Sequence, residues 1–234
     1  MTHSSVVAVV PAAGVGSRMQ ADRPKQYLQL GNKTILEHTL LTLNAHPAVS
    51  RVVVALSCDD PYFPNLPIAD ASWLTVVDGG KERADSVLAG LQLLNDDEWA
   101  LVHDAARPCV SHDDIDTLLE VRNRSDVVGG ILATPVRDTM KRESTSTPGA
   151  ISHTESRDRL WHALTPQLFP AGLLTAALKQ GEQKKVVVTD EASAMEAAGY
   201  QVALIDSNPA NIKITRPADM PLAAFYLQQS QQKG

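Results

Sequence analysis

Apolar residues along this chain fall into short runs separated by stretches of helical spacing. Val6–Val10, Arg51–Ser57, Leu74–Val77, Trp99–His103, Val127–Thr134 and Gln201–Asp206 are rich in β-branched residues and have strand length. Between them Ile35–Ala45, Arg83–Leu94, Asp113–Arg122, Ala171–Lys179, Asp190–Ala198 and Pro217–Gln228 carry apolar residues at helical spacing. The alternation predicts an α/β fold, with a mostly parallel sheet covered by helices on both faces. Asp113 and Asp190 are placed to cap helices, and Pro217 suits a first helical turn. No internal repeat interrupts the order.

One stretch departs from this rhythm. Val136–Ser156 is polar, and its centre, Ser144-Thr145-Ser146-Thr147-Pro148-Gly149, is turn chemistry. Its flanks, Asp138–Arg142 and Ala150–Thr154, are expected to pair as a hairpin. A polar projecting hairpin buries little against its own sheet. The residues alone leave open a surface loop or an arm that reaches a second subunit.

Composition narrows the partners. The chain has 234 residues, enough for one large α/β domain or two small ones. Its 21 basic and 27 acidic residues give a net charge of −6, which argues against nucleic acid and acidic membrane surfaces. Aromatic residues make up 4% of the chain, too few for a base-stacking platform. Cations gathered in a few loops of an acidic chain point to a small anionic ligand. Cys58 and Cys109 match no metal spacing and no disulfide framework, so both are read as reduced, in a cytoplasmic protein. The run Val6–Val10 is too short for a signal core or a membrane span.

The first candidate site follows the first strand. Pro11-Ala12-Ala13-Gly14-Val15-Gly16-Ser17-Arg18-Met19, with Pro24-Lys25 after it, places a glycine turn and two cations at a sheet edge. Backbone N–H groups there suit phosphate oxygens. Met19 stands where a dinucleotide fingerprint needs a third small residue, which disfavours a hydride-transferring dehydrogenase, and no Walker lysine is present. Two more polar clusters follow later strands. In Asp78-Gly79-Gly80-Lys81-Glu82-Arg83-Ala84-Asp85-Ser86 the glycines allow close approach of a flat group, and the Ser86 hydroxyl is free to meet a base edge. His103-Asp104-Ala105-Ala106-Arg107-Pro108 brings a carboxylate and an arginine to a strand tip. There Asp104 suits Mg²⁺, or forms an ion pair with Arg107. Thr189 and Asp190 read first as a helix cap, and Lys213 as a solvated residue of an alternating strand-like run, Asn211–Thr215. No nucleophile elbow and no paired histidine spacing is present, so covalent catalysis and a zinc site are not indicated. Arg18, Lys25, Arg107, Lys213 and Asp104 together fit phosphoryl or nucleotidyl transfer, where positioning and charge stabilisation dominate.

These motifs carry a resemblance. Ala12-Ala13-Gly14-x-Gly16-x-Arg18 with Pro24-Lys25 resembles the signature of sugar-nucleotide pyrophosphorylases and cytidylyltransferases. Asp78-Gly79-Gly80 with Arg83 and Ser86, His103-Asp104-Ala105-Ala106-Arg107-Pro108, Trp161–Gln167 and Thr189-Asp190-Glu191-Ala192 narrow it to the 2-C-methyl-D-erythritol 4-phosphate cytidylyltransferases of the non-mevalonate isoprenoid pathway. The match runs from about Val6 to about Tyr226. It implies transfer of CMP from CTP to 2-C-methyl-D-erythritol 4-phosphate, with release of pyrophosphate. It also implies Mg²⁺, a Rossmann-like sheet in one domain over residues 1–234, and a homodimer joined by an exchanged arm at about 136–156.

By matching position, the resemblance implies a role for each residue. Arg18 and Lys25 neutralise the triphosphate, with Lys25 stabilising the pentacoordinate α-phosphorus. Ala12, Ala13, Gly14, Gly80 and Ser86 hold the cytidine. Asp104 lies near Mg²⁺ and the ribose, with Ala105 beside it. Arg107, Thr139, Arg157, Thr165 and Lys213 hold the methylerythritol phosphate, with Thr139 and Arg157 supplied by the partner's arm. Lys81 stands where some relatives carry an acid, which bears on base selectivity. Two other readings remain: a cytidylyltransferase for another polyol phosphate, such as ribitol phosphate, or a non-catalytic nucleotide-binding relative.

Overall fold

The computed structural model describes residues 4–14 and 23–231. The chain runs through β1 (Val6–Pro11), a small hairpin of β2 (Gln29–Leu30) and β3 (Lys33–Thr34), α1 (Ile35–Ala45), β4 (Val49–Leu56), β5 (Leu74–Asp78) and α2 (Arg83–Leu91). It continues through β6 (Trp99–Val102), α3 (His112–Leu119), β7 (Gly130–Pro135), β8 (Met140–Glu143), β9 (Ile151–Glu155) and β10 (Trp161–Pro170). Last come α4 (Ala171–Gln183), α5 (Glu191–Ala197), β11 (Ala203–Asp206) and α6 (Asp219–Gln231). Seven strands form the central sheet in the order β11-β7-β10-β6-β1-β4-β5. All pair in parallel except β10, which lies antiparallel between β6 and β7.

The valine-rich β1 is central because both its faces are covered. Val6, Ala8 and Val10 pack with Leu36, Leu40 and Leu43 of α1 and with Ile115 and Leu118 of α3. Val9 faces the other way, among Val87 and Leu91 of α2, Leu174 and Leu178 of α4, and Met195 of α5. The period-two alternation of a strand thus divides the core into two layers. Beyond β1 the chain moves out through β4 to β5, then returns to β6 on the opposite flank of β1. Loops that leave β1 and β6 diverge at that reversal, which opens a crevice at the carboxyl edge of the sheet.

Several sequence expectations shift on contact with the structure. α3 is capped by Ser111, whose hydroxyl accepts from Asp114 N–H, so Asp113 sits inside the first turn. Asp190 does cap α5, in a reciprocal box with Ser193. α6 starts at Asp219, whose carboxylate accepts from Thr215 N–H and Arg216 N–H, and Pro217 precedes it. Asn211–Thr215 is not a strand: it packs along the Ala106–Arg107 loop, where Ile214 N–H donates to Ala106 O.

β10 has no counterpart among the strands read from sequence. Pro166 and a register irregularity between Ala163 and Gln167 interrupt its pattern. The hairpin expectation is met by β8 and β9, which pair antiparallel with Met140 opposite Glu155. Its side chains are largely exposed, and Val136 N–H to Leu160 O closes its base at the same sheet edge as the crevice.

Candidate active site

The three glycine- or aspartate-bearing loops meet at the carboxyl ends of β1, β5 and β6. Ala12 N–H donates to Ala55 O, continuing the β1–β4 ladder past the strand end. Ala13 then lies against the Gly79-Gly80 turn. A Cβ placed on Gly79 would fall 2.7 Å from Ala13 Cβ, and one on Gly80 would fall 2.2 Å from Asp85 Cβ. Gly79 is therefore required by close packing of one loop on the next, and Gly80 by the close return of its own chain at the first turn of α2. Gly14 differs, since an added Cβ there meets nothing within 4 Å.

Ser86 corrects the expectation of a free hydroxyl. It is buried in the first turn of α2, accepting from Gly80 N–H at 3.1 Å and donating to Glu82 O at 3.3 Å. Its place is inside the turn, shaping the Gly79-Gly80 backbone. Lys81 is exposed beside it.

Asp104 sits in a cage of cations. Arg83 Nε donates to its Oδ1 at 3.1 Å. Lys213 Nζ lies 2.8 Å from Oδ2, and Arg107 Nε lies 3.5 Å from the same atom. Burial alone would raise the Asp104 carboxyl; the charges of Arg83, Lys213 and Arg107 overcome that and hold it well below the usual carboxylate range. Lys213 is thus an ion-pair partner within the site, although its side chain is 42% exposed. Arg83 also grips Glu191 with two bonds, at 2.6 and 3.0 Å, and Glu191 is fully buried. The cluster of three cations and two carboxylates carries a net charge of +1, suited to an anionic ligand.

β10 explains why Thr165 belongs here. Gln167 pairs with Val102, so the antiparallel strand carries Thr165 past the end of β6 to Asp104. Thr165 Oγ1 accepts from Asp104 N–H at 3.0 Å and lies 3.1 Å from His103 Nδ1. His103 Nε2 must donate to the Arg107 carbonyl at 2.9 Å, so Nδ1 is the acceptor of the Thr165 proton. Burial pushes the His103 imidazole down to about 4 and keeps it neutral. The resemblance implies that Thr165 holds the methylerythritol phosphate; here the proton of its hydroxyl is committed to His103. Arg107 donates to Asn211 O at 2.7 Å, and Asn211 Nδ2 donates to Thr165 O at 2.9 Å. Arg107 Nε, buried, has Asp104 Oδ2 as its ion-pair partner, and Asn211 Oδ1 is buried without a hydrogen-bond partner among the described residues.

Lys25 opens a short 3₁₀ turn and donates to Ile214 O at 3.0 Å, which places it beside the Lys213 segment. Ala105 is buried, its carbonyl accepting from Thr39 at 3.0 Å. Arg18 lies outside the described residues. Thr139 and Arg157 are not part of this cluster. Both are exposed at the base of the hairpin, where Arg157 Nη1 donates to Arg137 O.

A divalent cation bound by the protein alone does not fit the donor set. Both oxygens of Asp104 face cationic nitrogens, and no group of three metal-ligating side chains occurs among the described residues. Sequence reasoning passed over Gln26, Glu191, Asn211 and His103. Glu191 and His103 stand inside motifs that the sequence already singles out, and Asn211 opens a run read as strand-like, whereas Gln26 carries no local signal.

Comparison with known proteins decides the family. The family model described as IspD, 2-C-methyl-D-erythritol 4-phosphate cytidylyltransferase, matches residues 6–229. The chain belongs to this family. The cytidylyltransferase of that name from Alteromonas mediterranea is 63% identical over 229 residues, covering 98% of this chain and 95% of that protein. The one from Vibrio vulnificus is 58% identical over 228 residues, covering 96% and 95%. A crystal structure of the Francisella tularensis 2-C-methyl-D-erythritol 4-phosphate cytidylyltransferase superposes with a TM-score of 0.84 at 36% identity, over 95% of this chain and 100% of that one. In this cytidylyltransferase fold the crevice beside β1 and β6 is the place where the cation cluster gathers.

Proposed function

We propose that this chain transfers CMP from CTP to 2-C-methyl-D-erythritol 4-phosphate, giving 4-diphosphocytidyl-2-C-methyl-D-erythritol and pyrophosphate. Family membership supports the reaction, and the single observation that carries its chemistry is the cage around Asp104. Acceptor phosphate and CTP are both polyanions, so the barrier to their meeting is electrostatic. The acceptor phosphate is already ionised and needs no general base. Its oxygen attacks the α-phosphorus of CTP as the bond to the β-phosphate oxygen breaks, and pyrophosphate carries away the electron pair. Lys25 and Arg18 lower the charge on the triphosphate, and Arg107 and Lys213 receive the acceptor phosphate. Preorganised cations of this kind are worth most where water is excluded.

Ala12, Ala13, Gly14, Gly80 and Ser86 shape the nucleotide pocket through backbone. Thr139 and Arg157 reach the acceptor from a partner subunit's β8–β9 arm, in a homodimer of single-domain subunits. Exposure of both residues at the base of the hairpin, outside the Asp104 cage, supports that reading. A Mg²⁺ ion would arrive with the CTP phosphates, its usual partners. No helix among the described residues is long and apolar enough to cross a membrane. The cytoplasm is the compartment we assign to the reaction.

The test is turnover with alternative acceptors under CTP. Methylerythritol phosphate should exceed ribitol phosphate by at least about tenfold in kcat/KM, the discrimination expected of a site built around particular hydroxyls. Preference for ribitol phosphate would move the chain to the neighbouring activity.

A further inference from the structure

Gln26 is fully buried, yet none of its bonds serves the core. Its Nε2 donates to Ala12 O at 2.8 Å and to Gly14 O at 3.2 Å, so one amide spends both protons on the loop that follows β1. The residue sits on the 3₁₀ turn between Lys25 and Tyr27. Lys25 is tied to Ile214 O, and Tyr27 donates to Asp60 at 2.7 Å while stacking on Tyr62. The turn is therefore fixed at three points, and through Gln26 it holds the carbonyls of Ala12 and Gly14.

This has a directional consequence. In a trans peptide the carbonyl and the following N–H point to opposite sides. Holding Ala12 O toward Gln26 turns Ala13 N–H away from it. With the carbonyls of Ala12 and Gly14 occupied, the loop offers a ligand donors in preference to acceptors. Such a surface suits phosphate and ribose oxygens.

We propose that Gln26 is a positioning residue for the nucleotide, setting the peptide planes of Ala12–Gly14 and holding that loop in register with Lys25. The inference rests on the CTP reading of the site. It assigns the choice of base to the Gly79-Gly80 turn, and the loop after β1 to the sugar and phosphates.

The experiment compares wild type with Gln26→Met, which keeps length and volume but removes the donor, and with Gln26→Glu, which sets a carboxylate against two carbonyls. CTP binding is measured by calorimetry, and KM for each substrate by pyrophosphate release. Losing two buried bonds predicts CTP affinity weakened by at least about tenfold in Gln26→Met and more in Gln26→Glu. KM for methylerythritol phosphate should stay within about twofold of wild type in Gln26→Met, while that for CTP rises. A merely structural residue would move both constants together or neither. Unchanged CTP affinity, equal shifts in the two KM values, or a Gln26→Met chain that fails to fold would each overturn the proposal. Failure of the underlying reading is separate: wild-type protein would then bind no CTP.

Discussion

At the scale of single residues, the site is organised by charge that the core cannot tolerate alone. Asp104 is buried only because Arg83, Lys213 and Arg107 surround it, and Arg83 is held in place by Glu191. Lys25 stands at the rim, anchored on Ile214 O. Lys25→Ala should lower kcat by roughly 10²–10³ with the melting temperature nearly unchanged, and Arg18→Ala should do the same. Either variant with near-normal kcat would be removed from the mechanism. His103 makes a different prediction. Its imidazole is held down to about 4 in the folded chain by burial, against about 6.5 in the unfolded chain. The unfolded state therefore binds more protons between those values. Stability from this group is complete above about pH 6.5 and is lost as pH falls toward 4, by about 3 kcal/mol. Denaturant unfolding between pH 7 and 4.5 should show a shallower acid-side loss in His103→Asn than in wild type. Parallel profiles would show that His103 contributes nothing to the acid limb.

At the scale of elements, α1 was legible from its apolar spacing, and β1 and β4 from their valine runs, because burial on both faces leaves a strong pattern; β5, a largely exposed edge strand, was legible from its β-branched run alone. β10 was not legible. Trp161–Pro170 mixes exposed and buried positions, contains two prolines, and gains its place only from the gap between β6 and β7. The Asn211–Thr215 alternation misled for the related reason that a loop packed against another loop can imitate a strand. In the site, the residues standing directly after strands were readable, as with Asp104 and the Gly79-Gly80 turn. Gln26 and Asn211 were not, since their roles exist only once distant loops meet. The β8–β9 arm was readable as a hairpin from Ser144–Gly149. Arg157→Ala should raise KM for the acceptor with little change in KM for CTP. An equal mixture of Arg157→Ala and Lys25→Ala subunits, allowed to exchange, should recover about one quarter of wild-type activity. Half the dimers are then mixed, and each mixed dimer has one intact site of two. No recovery after verified exchange would show that each site is built from a single subunit.

At the scale of the whole molecule, the sheet delivers three polar loops and one antiparallel strand to a single edge. The order β11-β7-β10-β6-β1-β4-β5 puts the reversal of chain direction at β1, where the crevice must open. An acidic protein with a net charge of −6 thereby presents a local excess of cations to its substrates. The central claim is that this crevice joins two phosphate esters at the α-phosphorus of CTP. Pyrophosphate release by the purified protein, with CTP, Mg²⁺ and 2-C-methyl-D-erythritol 4-phosphate, tests it most directly. Release should require both substrates and match the diphosphocytidyl product mole for mole. Pyrophosphate formed without the acceptor, or none formed with it, would contradict the account.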